Sequence, residues 1–177
     1  MKGLLADINI AGQTRALVEN FFGSEEWSEF WNALNVPFLV FANVGLAPNT
    51  SDDVVWQSCQ ENELVLITGN RNKDGPTSME ATIRTRLRPD SLPVITVSKP
   101  TTLGLNSAYT SQVGIKLLEL LYDIEHYRGT GRTCPFPPSP FFRMVMGGVE
   151  IGGIDGLFRV GRPARCGRFG GGVGSSA

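Results

Sequence analysis

The apolar positions of the chain follow two rhythms, and the changes between them predict its elements. Leu64, Val65, Leu66 and Ile67 form a run without polar interruption, the pattern of a strand buried on both faces in a parallel sheet. Thr68-Gly69-Asn70 ends that run, and the amides, Asp74, Gly75 and Pro76 beyond it read as a turn. Ser78 then reads as the N-cap of a helix over MEATIRTRL. Shorter apolar runs at 3–6, 37–41 and 93–97 predict three further strands. Between them Ala16, Leu17, Val18, Phe21 and Phe22 recur at helical spacing up to Gly23. Ser24 reads as the cap of a second helix, with Glu25 and Glu26 in its first turn and Trp27, Phe30, Trp31 and Leu34 as its inward stripe. Ser51 reads as the cap of a third helix, opened by Asp52 and Asp53. Val113, Leu117, Leu120, Leu121 and Ile124 predict a long helix over 107–127, with Gln112, Lys116, Glu119, Asp123 and Glu125 on its polar face.

Alternating strands and helices, joined by segments long enough to cross over, predict an α/β fold. The expected form is a three-layer α/β/α sandwich around a mainly parallel, four-stranded sheet. After Arg132 the pattern disappears: TCPFPPSPFF is proline-dense, and glycine and arginine dominate the rest of the chain. Residues 1–133 therefore read as one domain, and 134–177 as a Gly/Pro/Arg-rich tail, disordered or loosely packed. Arg159, Arg162, Arg165 and Arg168 recur every third residue in that tail. They suit nonspecific RNA contact, or mark an extension with no selected role.

Composition narrows the function classes. A length of 177 residues suits one domain with its own core, and 41% hydrophobic with 19% charged residues describes a soluble globular protein. The net charge of −1 hides an acidic body and a basic tail. Cys59, Cys134 and Cys166 form neither a disulfide framework nor a CxxC pair, which fits a reducing cytoplasm. MKGLLADINI is too short and too polar for a signal peptide or a membrane span, so no membrane partner is expected. The phosphate-cradling GxxxxGK[ST] and the dinucleotide GxGxxG after the first strand are both missing, and so is the GxSxG of a hydrolase nucleophile elbow. His126, at a helix end, is explained by the helix dipole.

The remaining chemistry lies in acids and amides. Asp7 ends the first strand, Asp52 and Asp53 open a helix, and Asn70, Asn72 and Asp74 come after the third strand, so all are expected at one edge of the sheet. Carboxylates gathered there repel unless a divalent cation neutralises them, and oxygen ligands select Mg²⁺ or Mn²⁺. Such an ion can polarise water and stabilise charge on a phosphodiester. The same residue types also serve as caps and turns at strand-to-helix junctions, so both readings stand.

LLADIN at 4–9, SDDVVWQSCQ at 51–60 and LITGNRNKDGPTSMEATIR at 66–84 resemble a bacterial group of the PIN-like superfamily, its DUF5615-like branch. The likeness extends to YRGTGR at 127–132 and is most specific over 64–84. It implies an α/β/α sandwich and, in active members, a metal-dependent ribonuclease. By this resemblance Asp7 stands for the acid ending strand one, Asp52 with its neighbour Asp53 for the helix-opening acid, and Asn70 and Asn72 for two acids after the third strand. Taken with the acid and amide pattern, the expected catalytic set is Asp7, Asp52, Asn70 and Asn72, and the expected metal ligands are Asp7, Asp52, Asp53 and Asp74. Asn70 and Asn72 depart from the family pattern: an amide oxygen can coordinate a hard cation but adds no charge. The implied activity is therefore weakened, with Asp74 or Glu80 able to restore charge; Thr77 stands where some relatives carry Asp. Arg71 either meets a substrate phosphate or pairs with Asp52 or Asp53. The rival expectation is a noncatalytic module that binds a protein partner, as in a toxin–antitoxin arrangement, or a second copy of itself.

Overall fold

The computed structural model describes residues 1–70 and 75–133; the predicted tail, together with Arg71, Asn72 and Asp74, lies outside the described residues. Strands β1 (Gly3–Ala6), β2 (Phe38–Val40), β3 (Leu64–Thr68), β4 (Val94–Thr96) and β5 (Arg132–Thr133) form one sheet in the order β2-β1-β3-β4-β5. Every pairing is parallel. Helices α1 (Ala11–Ala16), α2 (Ser28–Leu34), α3 (Asp52–Glu61), α4 (Met79–Arg86) and α5 (Ser107–Tyr122) cover the two faces. This is the expected α/β/α sandwich, with five strands where the sequence suggested four. The fifth, Arg132–Thr133, pairs with Val94 and Ile95 and is too short to show any alternation. Gly129 and Gly131, at φ 70° and 79°, turn the chain onto that edge in a conformation that other residues adopt only at a cost.

Alternation along the strands divides the core. Leu4, Ala6, Val65, Ile67 and Ile95 pack toward α1, α2 and α5, meeting Leu17, Phe22 and Leu117. Leu5, Leu64, Leu66 and Val94 pack toward α3 and α4, meeting Val55, Trp56, Met79 and Ile83. The chain steps from β3 to β4 over the α4 face and from β4 to β5 over the α5 face, in the same direction across the sheet. Those two crossovers therefore have opposite hands, against the strong preference for right-handed connections. The exception falls on the two-residue edge strand, where little pairing depends on it.

Local differences from the sequence pattern have identifiable causes. Residues Leu17–Phe22 continue α1 as a π-helical turn. Leu17 and Phe22, five residues apart, are both buried, which the wider turn permits and the predicted i, i+4 spacing does not. Ser24 caps no helix; its hydroxyl donates to the Phe21 carbonyl at 2.7 Å, closing the preceding turn, and α2 begins only at Ser28. Trp31 stacks on Phe22 at 4.4 Å between ring centroids, so this aromatic stripe packs the core. The Ser51 hydroxyl donates to Asp53 at 2.6 Å instead of accepting a helix N–H. Ser78 does cap α4, accepting from Ala81 N at 3.3 Å. The last helix ends at Tyr122 and gives way to a 3-10 turn at Ile124–Tyr127. Lys116 and Glu119, expected on its polar face, are buried and form an ion pair with each other. Among the described residues no helix is long and apolar enough to cross a membrane.

Candidate functional site

β1 ends at Ala6, α3 begins at Asp52, β3 ends at Thr68 and α4 begins at Met79. Because β1 and β3 are adjacent and parallel, these four termini meet at one rim. It is also the switch point of the sheet, since the chain leaves β1 toward β2 on one side and β3 toward β4 on the other. In open α/β sheets the crevice at such a point is where ligands bind.

Asp7 comes directly after β1 and is only 7% exposed. The Thr68 hydroxyl, at the end of β3, donates a hydrogen bond to Asp7 Oδ2. Asn70 N–H donates to the same Thr68 oxygen at 2.9 Å, so the hydroxyl proton is left for Asp7. The Asn70 side-chain Nδ2 donates to Asp52, at 3.0 Å from Oδ2 and 3.3 Å from Oδ1. Met79 N–H, at the start of α4, donates to Asp52 Oδ2 at 3.0 Å. Asp7, Thr68, Asn70 and Asp52 thus form one connected network across three elements. Gly69 makes the turn possible, because a Cβ there would lie 2.7 Å from Ile10 Cγ2 and 3.0 Å from Pro100 Cγ.

Burial pushes the Asp7 carboxyl above the ordinary aspartate value; the Thr68 hydrogen bond opposes this, and the neighbouring charge of Asp52 adds to it. A carboxyl whose folded pKa is raised holds its proton more tightly folded than unfolded. Its contribution to stability is therefore full below the unfolded value of 3.8 and is lost as pH rises through the folded value. Thr68→Val should raise the Asp7 pKa further and destabilise the protein at neutral pH by about 1–3 kcal/mol, the cost of leaving a buried acceptor without its donor. Carbon-detected NMR titration of the Asp7 carboxyl, alongside denaturant unfolding, measures both effects.

The other predicted residues are placed differently. Asp53 turns away from the rim: its carboxylate accepts from the Ser51 hydroxyl, which chiefly holds its pKa down, and lies 3.7 Å from Arg86 Nη2, whose charge adds to that effect. Position two in a helix points about 100° away from position one, so Asp52 and Asp53 cannot both face the crevice. Glu80 faces the last strand, with Oε2 3.5 Å from Arg132 Nε. His126 is exposed beside Asp123 at the far end of α5, toward the amino-terminal edge of the sheet and away from the rim. Cys59 is buried beneath the site, and burial with the nearby Asp7 charge pushes its thiol up to about 12, so it is no nucleophile. Arg71, Asn72 and Asp74 lie outside the described residues.

Arg132 was no candidate in the sequence, yet its Nη1 donates to the Asn70 carbonyl at 2.9 Å and to Thr96 Oγ1 at 2.8 Å. Its only sequence signal is the glycine-flanked GTGR that ends the patterned region.

Among the described residues no three acidic, histidine or cysteine side chains gather to hold an ion by themselves. The geometry offers a carboxylate pair and an amide. Mg²⁺ commonly takes one or two protein carboxylates and fills its other positions with water and substrate phosphate. A cleft of about 550 Å³ lined by Lys2, Trp31, Asn35 and Pro37 lies at the opposite edge of the sheet, away from all of these groups. The chain matches no family model, no curated protein and no solved structure.

Proposed function

We propose that this chain is a PIN-like domain that works in the cytoplasm, hydrolysing RNA phosphodiesters with Mg²⁺ or Mn²⁺ held by Asp7 and Asp52. One observation supports the reading above others: a buried carboxylate, Asp7, beside a second carboxylate, Asp52, at the switch-point rim. Two such charges are unfavourable side by side, and a divalent cation is the partner that relieves both. The donor set fits a hard cation, and when bound the ion would supply a polarised water and charge neutralisation at the phosphate.

The chain's own residues prepare that chemistry. Thr68 fixes the rotamer of Asp7, and burial keeps bulk water from it. Asn70 and Met79 N–H orient Asp52 from two sides. Asn70 brings no charge of its own, which sets the expected rate below that of a fully acidic centre. Asn72 and Asp74 would complete the set, and Arg71 would meet the substrate phosphate.

A second reading, a noncatalytic module that binds a protein partner, is favoured by the same two hydrogen bonds to Asp52. They satisfy that carboxylate without an ion and make it a strut between α3 and α4. Incubating the protein with single-stranded RNA separates the two. The enzyme reading predicts cleavage in Mn²⁺ that EDTA abolishes. If Mn²⁺ neither promotes cleavage nor shifts thermal unfolding, the binding-module reading takes its place.

A further inference from the structure

We infer that Arg132 is the positioning residue of this site, an inference that rests on reading Asp7 and Asp52 as the cation ligands. Arg132 is in register with Val94, so its side chain lies on the α4 face of the sheet. From there it reaches back past β4 to the turn after β3. Nη1 holds the Asn70 carbonyl at 2.9 Å and Thr96 Oγ1 at 2.8 Å, while Nε lies 3.5 Å from Glu80 Oε2. The side chain is 12% exposed, which removes most competition from water.

Asn70 is where this hold matters. Its N–H reaches Asp7 through the Thr68 hydroxyl, and its Nδ2 reaches Asp52 directly. Both carboxylates are therefore tied to one residue, and that residue's carbonyl is held by one guanidinium. Gly69 precedes it and supplies no side chain to stiffen the turn. A planar guanidinium can span Asn70, Thr96 and Glu80 with its donors in a fixed plane, whereas an ammonium is a point donor on a flexible stem. The last strand of the fold thus sets the geometry of groups contributed by the first and third. Arg132 touches neither carboxylate in this arrangement and acts through Asn70.

The test is amide hydrogen exchange by NMR on the full chain, comparing wild type with Arg132→Lys and Arg132→Gln without added metal. The expected result is exchange at Asn70 N–H faster by at least about tenfold in both variants, with Leu5 and Ile67 N–H in the sheet unchanged. Mn²⁺ affinity, read by titration calorimetry, should fall by about tenfold in the same variants. Should either variant fail to fold, Glu80→Gln, which loosens one end of the guanidinium, should raise Asn70 exchange by a smaller factor. Asn70 exchange that stays at the wild-type rate, or that rises only in step with Leu5 and Ile67, overturns the inference. A wild type that binds no Mn²⁺ refutes the cation site instead, and the Asn70 exchange rates still decide the role of Arg132.

Discussion

Asp7→Asn is expected to raise the unfolding temperature of the metal-free protein at neutral pH and to abolish its response to Mn²⁺. Asp7 is buried, sits beside Asp52 and has its pKa raised, so ionising it costs more in the folded state than in the unfolded one. An asparagine there keeps an oxygen to accept from Thr68 and removes the charge. Relieving a group held in place for function commonly yields about 0.5–2 kcal/mol, or a few degrees for a chain of this size. The advantage should shrink as pH falls toward 3.8, where the wild-type carboxyl takes up its proton in both states. With Mn²⁺ at about a hundred times its dissociation constant, wild type should gain about 2.7 kcal/mol and the variant nothing. Calorimetric scans at pH 7 and pH 4, with and without Mn²⁺, measure each of these differences. A variant less stable than wild type at pH 7 without metal would mean that the Asp7 charge supports the fold, leaving no strain for an ion to relieve.

Leu66→Ala is expected to cost about 2–5 kcal/mol and to lower the unfolding temperature by on the order of 10 °C. Leu66 is 1% exposed in β3, in register with Leu5 on one side and Val94 on the other. It belongs to the cluster that seats α3 and α4, the helices whose first residues bring Asp52 and Met79 N–H to the rim. Deleting its side chain leaves a cavity beneath the helices that hold the site, and Thr68, two residues on, shares that face of the strand. The loss should therefore reach the site as well as the stability. Denaturant unfolding at an unchanged m-value checks the first part, and weakened Mn²⁺ binding in the folded variant checks the second. A loss below about 1 kcal/mol would show that α3 and α4 do not depend on this layer.

The parts of the fold that were legible in the sequence are those whose signal is periodic. β3 shows as four apolar residues in a row because it is covered on both faces, and β1 shows for the same reason. β5 does not, because its place is set by hydrogen bonds from β4 and by two glycines at positive φ, neither of which leaves a hydrophobic rhythm. The π-helical turn was equally hidden: choosing Phe22 over Phe21 for burial depends on where α5 lies, with Gly114 against the Phe21 ring. At the rim, Asp7, Asp52 and Asn70 could be placed together because strand ends and helix starts fix position to within a turn. Direction is another matter, and Asp53 shows the limit, since one residue's rotation carries it from the crevice to Arg86. The reach of Arg132 across β4 is a tertiary fact with no local trace.

If Asp7 and Asp52 together take a divalent cation, paramagnetic broadening reveals it without any substitution. Substoichiometric Mn²⁺ added to the isotope-labelled full chain should first erase the amide signals of Asp7, Ile8, Asp52 and Asn70, leaving those of α5 intact. Signals at that rim that persist while those near Asp123 and Glu125 fade, or a spectrum that Mn²⁺ leaves unchanged throughout, would contradict the shared cation site.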